Sequence, residues 1–441
     1  MSHHNNRLLL ATVIVCLTCG THRALARDVG PGFAMRLLTD GSIDTSFNDG
    51  LYWFDAASAA AVDGENRIVI AGTRDGKFAV TRLLPSGTVD LQFGINGMAD
   101  KGFAAAAEAR AVAIDPSGRI IVAGHAAQQF ALACFTTDGG DCVDFGSDSK
   151  VTTAFFYSAE ASAIAIASDG RIVVGGRLWN SFASGTQEWF VLTRYLTIGV
   201  LDTSFGSGGR RTYNGGSATY PARNHESISG LAIDASGRIV AAGTLVAQDV
   251  SARFALLRFH ADGSTDTTFG PTANGMVTAF GGCSQMLCAK EAFATSVALQ
   301  PDGKIVVAGG VRLTGSGDQD FDVALARFLP SGSLDTGFGL LGYVRTPLAI
   351  YDEARAVKIA GGSLFVAGHS DGQAIVARYS LSNGWLVSDF DGGVAEPTTP
   401  CPGPMGPANA LAIQSFPCRG TGGPFCVPLP KPVIVGTCLS Q

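Results

Sequence analysis

The stretch VALQPDGKIVVAGG, residues 297–310, is followed ten residues later by FDVALARFLPSGSLDTGFG, residues 321–339. The first stretch holds two apolar runs separated by a Pro-Asp-Gly turn. The second holds one apolar run and then a polar turn that ends on phenylalanine. Short apolar runs between turn-forming residues are typical of β-strands. With one more run after residue 339, the unit predicts four strands.

This unit recurs along the whole chain in two alternating elements. An apolar run that ends on glycine occurs seven times, at Gly72, Gly124, Gly176, Gly243, Gly309, Gly368 and Gly436. A polar turn that ends on phenylalanine also occurs seven times, at Phe47, Phe93, Phe145, Phe205, Phe269, Phe338 and Phe390. The chain opens with a phenylalanine element and closes with a glycine element. The two ends are therefore complementary halves of one unit.

The repeat predicts an all-β fold, a seven-bladed β-propeller with four-stranded blades. Residues 33–54 would supply the outer half of one blade and residues 408–438 its inner half, so that the pairing of the chain ends closes the ring. Strands that are apolar on both faces indicate sheets packed between neighbours. A parallel β-helix, or solenoid, is the alternative, although its coils are usually shorter and do not explain complementary ends.

The first 26 residues have the pattern of an export signal. Arg7 precedes an apolar stretch, residues 8–18, that is too short to cross a bilayer, and Ala24-Leu25-Ala26 is a small-x-small cleavage site. We expect cleavage near Ala26, a single propeller domain over residues 27–441, and a periplasmic or extracellular location.

Charge and composition exclude some classes of partner. The formal net charge is −6, and it becomes −8 without residues 1–26, which contain two arginines and no acid. Because no basic run is present, we expect no nucleic-acid partner. No second long apolar run occurs, so no membrane span is expected. The partner would be an extracellular or envelope ligand of a monomeric protein.

A pair of opposite charges recurs at fixed positions in five units, with arginine eleven residues and aspartate three residues before the phenylalanine. The pairs are Arg36 with Asp44, Arg82 with Asp90, Arg194 with Asp202, Arg258 with Asp266, and Arg327 with Asp335. Each pair flanks a hairpin turn, so its side chains can meet across two strands. We interpret the pairs as structural.

Two units depart from this pattern. In the unit of Phe145 the two positions hold Cys134 and Cys142, which predicts a cross-strand disulfide in place of the ion pair. In the unit of Phe390 the arginine remains, but valine occupies the aspartate position, and Asp389 is a candidate substitute.

The mature chain contains eight cysteines, and an even number in an exported protein favours disulfides. The positions of the other cysteines in the repeat predict three further bonds: Cys283–Cys288, Cys401–Cys438 and Cys418–Cys426.

The units quoted at 297–310 and 321–339 resemble the delta-60 repeat of bacterial exported proteins, and the resemblance extends over nearly the whole mature chain. It implies an exported protein built of β repeats. It implies no activity and no catalytic residues.

Function would reside on the face where the loops enter the innermost strands, here called the top face. Residues that vary between units there are candidates for ligand binding: His125, Arg177, Trp179 and His369. Acids that recur at or before the innermost strand could form a collar around the axis and attract a cation such as calcium: Asp55, Glu108, Glu160, Glu226, Glu291 and Glu353. Pairing of these acids with loop amides or with nearby arginines is the alternative.

Two classes of function follow. The first is a non-catalytic binding scaffold that holds a glycan, a peptide or a surface protein through its top-face loops. The second is a metal-assisted lactonase or lyase that uses the acidic collar together with His125 or His369. The sequence contains no nucleophile elbow, phosphate-binding glycine loop or HExxH motif, so the first class is favoured.

Overall fold

A computed structural model describes most of the repeat region. The described residues are 29–38, 42, 44, 46–47, 51–52, 56–182, 185–214, 226–246, 252–272, 274–284, 287–315, 320–371, 373–388, 394–395, 405–416 and 429–439. Side chains are described for all of these except residues 29–35, 51–52, 56, 182, 185, 282–284, 287–288, 395, 405–416 and 429–439.

Every strand of the described chain belongs to an antiparallel sheet, and consecutive strands form six blades. Blade 1 comprises β3 (Ala56–Val62), β4 (Ile68–Arg74), β5 (Lys77–Leu83) and β6 (Met98–Lys101). Blade 2 comprises β7 (Ala107–Ile114), β8 (Ile120–Ala126), β9 (Gln129–Phe135) and β10 (Lys150–Thr153). Blade 3 comprises β11 (Ser158–Ile166), β12 (Ile172–Phe182), β13 (Gly185–Tyr195) and β14 (Arg210–Tyr213).

The other three blades repeat this order. Blade 4 comprises β15 (Ser227–Ile233), β16 (Ile239–Val246), β17 (Ala252–Phe259) and β18 (Met276–Ala279). Blade 5 comprises β20 (Leu287–Leu299), β21 (Ile305–Leu313), β22 (Asp322–Phe328) and β23 (Tyr343–Thr346), with an additional short strand β19 (Gly282–Ser284) paired to β20. Blade 6 comprises β24 (Asp352–Ala360), β25 (Ser363–Ser370), β26 (Gln373–Ser380) and β27 (Val394–Ala395).

The structure corrects the predicted number of blades from seven to six. Only these six are built from consecutive strands in the described chain. The chain ends contribute β1 (Val29–Arg36), β2 (Leu51–Tyr52), β28 (Met405–Phe416) and β29 (Leu429–Leu439), which pair in the order β2-β1-β29-β28. This composite sheet differs from the six blades because its strands come from two separate parts of the chain and are not consecutive. Its pairing joins the two ends of the chain, but it does not repeat a whole blade.

The solenoid alternative is wrong, because the strands of each blade run antiparallel and the first strands of successive blades pack side by side around an axis. The hydrophobic core lies between adjacent blades. Between blades 2 and 3, for example, Phe130 and Leu132 pack with Val174 and Val191. This arrangement explains why strand residues are apolar on both faces. No helix among the described residues is long and apolar enough to cross a membrane.

The repeated glycine has a steric cause that also positions the candidate acids. In blade 2 a β-bulge between Ala109 and Ala111 brings the carbonyl of Glu108 against Gly124. A Cβ atom on Gly124 would lie 2.0 Å from that carbonyl oxygen. The equivalent glycines of blades 3 and 6 meet the carbonyls of Glu160 and Glu353 in the same way. A side chain at these positions would require the bulge to move, so glycine is required.

The repeated arginine, aspartate and phenylalanine form a compact group at the ends of blades 1, 3, 4 and 5 and after β1, here called the Arg-Asp-Phe cluster. All five predicted pairs are in contact, with arginine Nε 2.7 to 2.9 Å from aspartate Oδ2. Each guanidinium carbon also lies 4.3 to 5.0 Å from the centroid of the phenylalanine ring. In blade 4 the same Arg258 donates to the carbonyl of Pro330 in blade 5. The cluster therefore closes one turn and fastens it to the next blade.

Blade 2 contains a disulfide where the other blades contain the ion pair. Cys134 and Cys142 are bonded, with their Cα atoms 5.7 Å apart. A different arginine makes the hydrogen bond to the next blade. Arg119, which follows the first turn of blade 2, donates to the carbonyl of Thr197 at 2.9 Å. Thr197 occupies the turn position that Pro330 occupies in blade 5. The disulfide thus replaces the ion pair, and Arg119 replaces the hydrogen bond that the missing arginine would donate to the next blade.

Blade 6 departs from the cluster in another way. Arg378 donates from Nε to Ser363 Oγ at 3.0 Å, and Val387 occupies the aspartate position. Asp389, the candidate substitute, lies outside the described residues. The side chains of the other three predicted cysteine pairs also lie outside the described residues. In the backbone register of β19 and β20, Cys283 and Cys288 are opposite each other. Those three disulfides stay predictions.

Candidate ligand-binding site on the top face

The top face carries the loops that enter each first strand and the hairpins between second and third strands, as the direction of the strands requires. Glu108, Glu160 and Glu353 occupy equivalent places on it. Each is opposite the residue that follows the repeated glycine: Glu108 opposite His125, Glu160 opposite Arg177, and Glu353 opposite His369. Four of the predicted site residues are therefore brought together in blades 2 and 3.

The predicted collar is not a regular ring. In blade 4 the residue opposite Thr244 is Ser227, so Glu226 lies one position outside the register of the other acids. In blade 5 Glu291 is opposite Arg312, two residues beyond Gly310. Glu226 is buried, and Glu291 is ion-paired with Arg312. Asp55 lies outside the described residues. The acids thus fall at three different depths along the axis.

A chain of ion pairs joins blades 2 and 3 at this face. Arg110 binds Glu108 at 2.7 Å and Glu160 at 3.0 Å. Arg177 binds Glu160 at 2.9 Å and Glu188 at 3.2 Å. Burial alone would raise the pKa of Glu160, but the two guanidinium groups outweigh it and hold the pKa below its usual value. The Glu160 carboxylate is therefore ionised, and the two arginines are paired with all three carboxylates.

His125 lies at the edge of this chain, with Nδ1 3.8 Å from Glu160 Oε1. Burial lowers its pKa, and the repulsion of nearby Arg110 acts in the same direction, against the attraction of Glu160. The imidazole is therefore neutral at pH 7.

A separate buried group surrounds Glu353 in blade 6. Tyr351 donates its hydroxyl to Glu353 Oε2 at 3.0 Å, and Arg355 pairs with Oε1 at 2.5 Å. Burial raises the pKa of Glu353 despite this arginine. His369 is packed beside Tyr351, with ring centroids 5.2 Å apart, and burial lowers its pKa to about 4. His369 is a neutral core residue and does not present an accessible ring.

The donor set does not fit a metal ion at the predicted collar. A cation would need several unneutralised oxygen ligands at one point, whereas Glu108 and Glu160 face Arg110 and Arg177. Over the described parts of the chain, no three His, Cys, Asp or Glu side chains form a group that could hold a metal. Calcium binding stays a prediction.

Among the described side chains of the top face, the most exposed large apolar one is not among the residues that the sequence pattern predicts. Phe156, in the loop from blade 2 to blade 3, is 94% exposed. Its ring lies 5.0 Å from that of Tyr157, edge to face, and Tyr157 is stacked on Trp189 at 5.2 Å with 9° between the planes. Phe156, Tyr157 and Trp189 are here called the aromatic patch. The run Phe155-Phe156-Tyr157 between two units is the one sequence signal that points to it.

Hydrogen bonds fix the loop that carries the aromatic patch. The side chain of Gln129 in blade 2 accepts from Phe155 N at 2.6 Å. Gln128 accepts from Ser158 Oγ at 2.7 Å through its side chain and from Ala159 N at 2.7 Å through its carbonyl. The loop is thus bound on both sides of Phe156, and its exposed ring is held in a defined place.

Trp179 lies close to this patch on the same hairpin but in a different setting. The guanidinium carbon of Arg177 is 4.7 Å from the centroid of its indole ring. Trp179 is opposite Glu188 in the β12–β13 register, so it lies on the other side of the hairpin from Trp189. One face of Trp179 is therefore covered by arginine.

Five segments of the chain match the family model described as "Domain of unknown function (DUF5122) beta-propeller": residues 66–93, 116–139, 167–205, 235–269 and 300–338. These segments include the second strands and phenylalanine turns of blades 1, 3, 4 and 5. The match supports a repeat-built β-propeller. No protein among the curated proteins matches the chain.

Solved structures with similar folds include several enzymes. The polysaccharide lyase Uly1 has a TM-score of 0.45 and 11% identity, over 98% of this chain and 100% of the lyase. The PQQ-bound aldose sugar dehydrogenase of Streptomyces coelicolor has a TM-score of 0.44 and 13% identity, over 79% and 98%. The gluconolactonase of Xanthomonas campestris has a TM-score of 0.34 and 12% identity, over 81% and 94%. At these scores and identities the likenesses carry no inference about activity.

Proposed function

We propose that the protein is an exported, non-catalytic binding scaffold of the delta-60 repeat type, which holds an extracellular or envelope ligand through the top-face loops of blades 2 and 3. The observation that carries the proposal is the aromatic patch, in which an almost fully exposed ring is held by hydrogen bonds on both sides. Exposed apolar groups on a fixed framework are characteristic of ligand-binding surfaces.

The charged residues of the same face support binding better than catalysis. Arg110 and Arg177 are ion-paired with Glu108, Glu160 and Glu188, and these pairs stiffen the surface beside the aromatic patch. A metal-assisted lactonase or lyase would need those carboxylates as metal ligands or bases. His369, its other candidate group, is buried with a pKa of about 4. No contact among the described residues favours the catalytic alternative.

The test compares a top-face variant with a control variant on the opposite face, here called the bottom face, which carries the turns between third and fourth strands. Both are assayed on a mixed panel of immobilised oligosaccharides and a displayed peptide library. The top-face variant is Phe156→Ser with Tyr157→Ser. The control is Trp385→Ser, which removes an aromatic ring that is 60% exposed on the opposite face. We expect ligands bound by the wild type and the control to be lost by the top-face variant. Binding that survives in the top-face variant would overturn the proposal.

A further inference from the structure

We infer that the aromatic patch binds the pyranose rings of a neutral glycan, an inference that rests on the proposed top-face binding function. Aromatic rings present flat apolar surfaces, and the C–H faces of a sugar ring are flat and apolar as well. Tyr157 and Trp189 are nearly parallel and fix the base of the patch, while Phe156 projects from it into solvent. This shape suits a flat ring rather than a bulky aliphatic side chain.

The rim of the patch is rich in amide and hydroxyl groups, which match sugar hydroxyls. Gln128 is exposed and lies next to Ser158, to which it is hydrogen-bonded. Asn180 and Gln187 are opposite each other on β12 and β13. They lie on the same side of the hairpin as Trp189, two residues nearer the hairpin tip. Side-chain amides donate and accept hydrogen bonds at once, as a hydroxyl group does.

Charge near the patch argues for a neutral ligand. Arg177, the nearest cation of the hairpin, lies between Glu160 and Glu188 and is paired with both. Arg210, below the loop, has its guanidinium carbon 5.4 Å from the centroid of Phe155 and donates to the carbonyl of Ala154. Both arginines are thus engaged within the protein, which makes them poor partners for an acidic sugar.

The size of the patch distinguishes a glycan from a protein partner. A standard protein interface buries about 800 Å² on each side and is centred on several apolar anchors. In the loop from blade 2 to blade 3, all of which is described, Phe156 is the one large apolar side chain that is exposed. A single ring with an amide rim is enough for one or two sugar units but too small for a protein interface.

The experiment titrates the mature, oxidised chain with cellohexaose, chitohexaose, xylohexaose, laminarihexaose and an oligogalacturonate, followed by calorimetry and by tryptophan fluorescence. Three variants separate an aromatic requirement from a merely apolar one. Phe156→Leu keeps an apolar group without the flat ring, Phe156→Trp keeps the ring, and Trp385→Ala removes an exposed ring from the other face. Because Phe156 and Trp385 are exposed, all three should fold.

We expect at least one neutral oligosaccharide to bind. Phe156→Leu should weaken that binding about tenfold, which corresponds to a stacking contribution of about 1.4 kcal/mol. Phe156→Trp should retain it, and Trp385→Ala should change it less than about twofold. Binding of a sugar with equal affinity to Phe156→Leu would overturn both the glycan site and the top-face proposal. If no oligosaccharide binds but a displayed peptide does so in a Phe156-dependent manner, the glycan is wrong and the top-face proposal stands.

Discussion

The two faces of this propeller differ in how far their residues repeat from blade to blade. On the bottom face the Arg-Asp-Phe cluster recurs in nearly the same geometry in blades 1, 3, 4 and 5, with Nε–Oδ2 distances of 2.7 to 2.9 Å. On the top face the equivalent positions hold His125, Arg177, Thr244 and His369, each with different partners. Repetition marks the contacts that stabilise most of the blades, and variation marks where a ligand can be distinguished.

The largest predicted loss of stability comes from a substitution in the Arg-Asp-Phe cluster of blade 4, on the bottom face. Arg258→Met should destabilise the protein by about 3 to 5 kcal/mol, because it leaves the carboxylate of Asp266 buried without its counter-charge. Arg258 also provides the bond to the Pro330 carbonyl of the next blade. Guanidinium unfolding followed by circular dichroism measures the loss.

Two further variants test the explanation of that result. Adding Asp266→Asn removes the stranded charge and should restore part of the stability, with the remainder due to the lost bond to Pro330. Arg74→Met, at an exposed ion pair of 3.7 Å, should change stability by less than about 0.5 kcal/mol. An Arg258→Met protein as stable as the Arg74→Met control would contradict the role given to the cluster.

The bottom face could be predicted from the sequence because its signal is repeated. Five arginine–aspartate pairs at one spacing, together with a cysteine pair at the same two positions, are enough to indicate that the two positions touch. The number of blades was predicted less well. Complementary chain ends predict a seventh blade, but six blades are built from consecutive strands, and β1, β2, β28 and β29 pair only across the two ends of the chain. Spacing along the sequence shows that the two ends are complementary, but it does not show whether their pairing completes a further blade.

The second prediction concerns replacing the disulfide of blade 2 with the arginine–aspartate pair found in blades 1, 3, 4 and 5. Replacing Cys134 and Cys142 by serine should cost about 2 to 3 kcal/mol, the value expected for a short disulfide loop. Replacing Cys134 by arginine and Cys142 by aspartate restores the arrangement of the other blades and should recover at least half of that loss. Thermal and guanidinium unfolding of the oxidised proteins provide the comparison. Equal stability of the serine and the arginine–aspartate variants would show that the two arrangements are not interchangeable.

The third prediction concerns the neutral histidine of blade 6. In the folded protein the pKa of His369 is about 4, below its ordinary value of 6.5. The unfolded chain therefore binds an extra proton between these two values, and stability must fall as the pH decreases from about 6.5 towards 4. Between pH 7.5 and pH 5 the loss from this residue is about 2 kcal/mol.

The test of this pH dependence is His369→Gln, which removes the titrating group and keeps a polar side chain. Urea midpoints at pH 7.5 and pH 5 should differ less for the variant than for the wild type. His260→Gln is the control, since the side chain of His260 is half exposed. Glu353, whose pKa is raised by burial, acts in the opposite sense and is present in both proteins. Parallel pH profiles for wild type and His369→Gln would contradict the burial argument.

The top face was harder to predict because its residues are not repeated. Glu108, Glu160 and Glu353 each lie opposite the residue that follows the repeated glycine, and the bulge beside that glycine gives them this common place. Glu226 and Glu291 were grouped with them because of sequence proximity, although the register places them elsewhere. Phe156 has no counterpart in other units, so alignment could not select it. Exposure is a property of the folded chain and cannot be read from a run of aromatic residues.

The smallest predicted effect sharpens the contrast between the two faces. Phe156→Ala should change the free energy of unfolding by less than about 0.5 kcal/mol, because a ring that is 94% exposed loses almost no burial on truncation. Phe205→Ala, at a ring with no exposed surface in the Arg-Asp-Phe cluster of blade 3, should cost about 3 to 5 kcal/mol. Guanidinium unfolding under identical conditions compares them. A substantial loss in Phe156→Ala would mean that the ring supports the loop, and its exposure would then say nothing about a ligand.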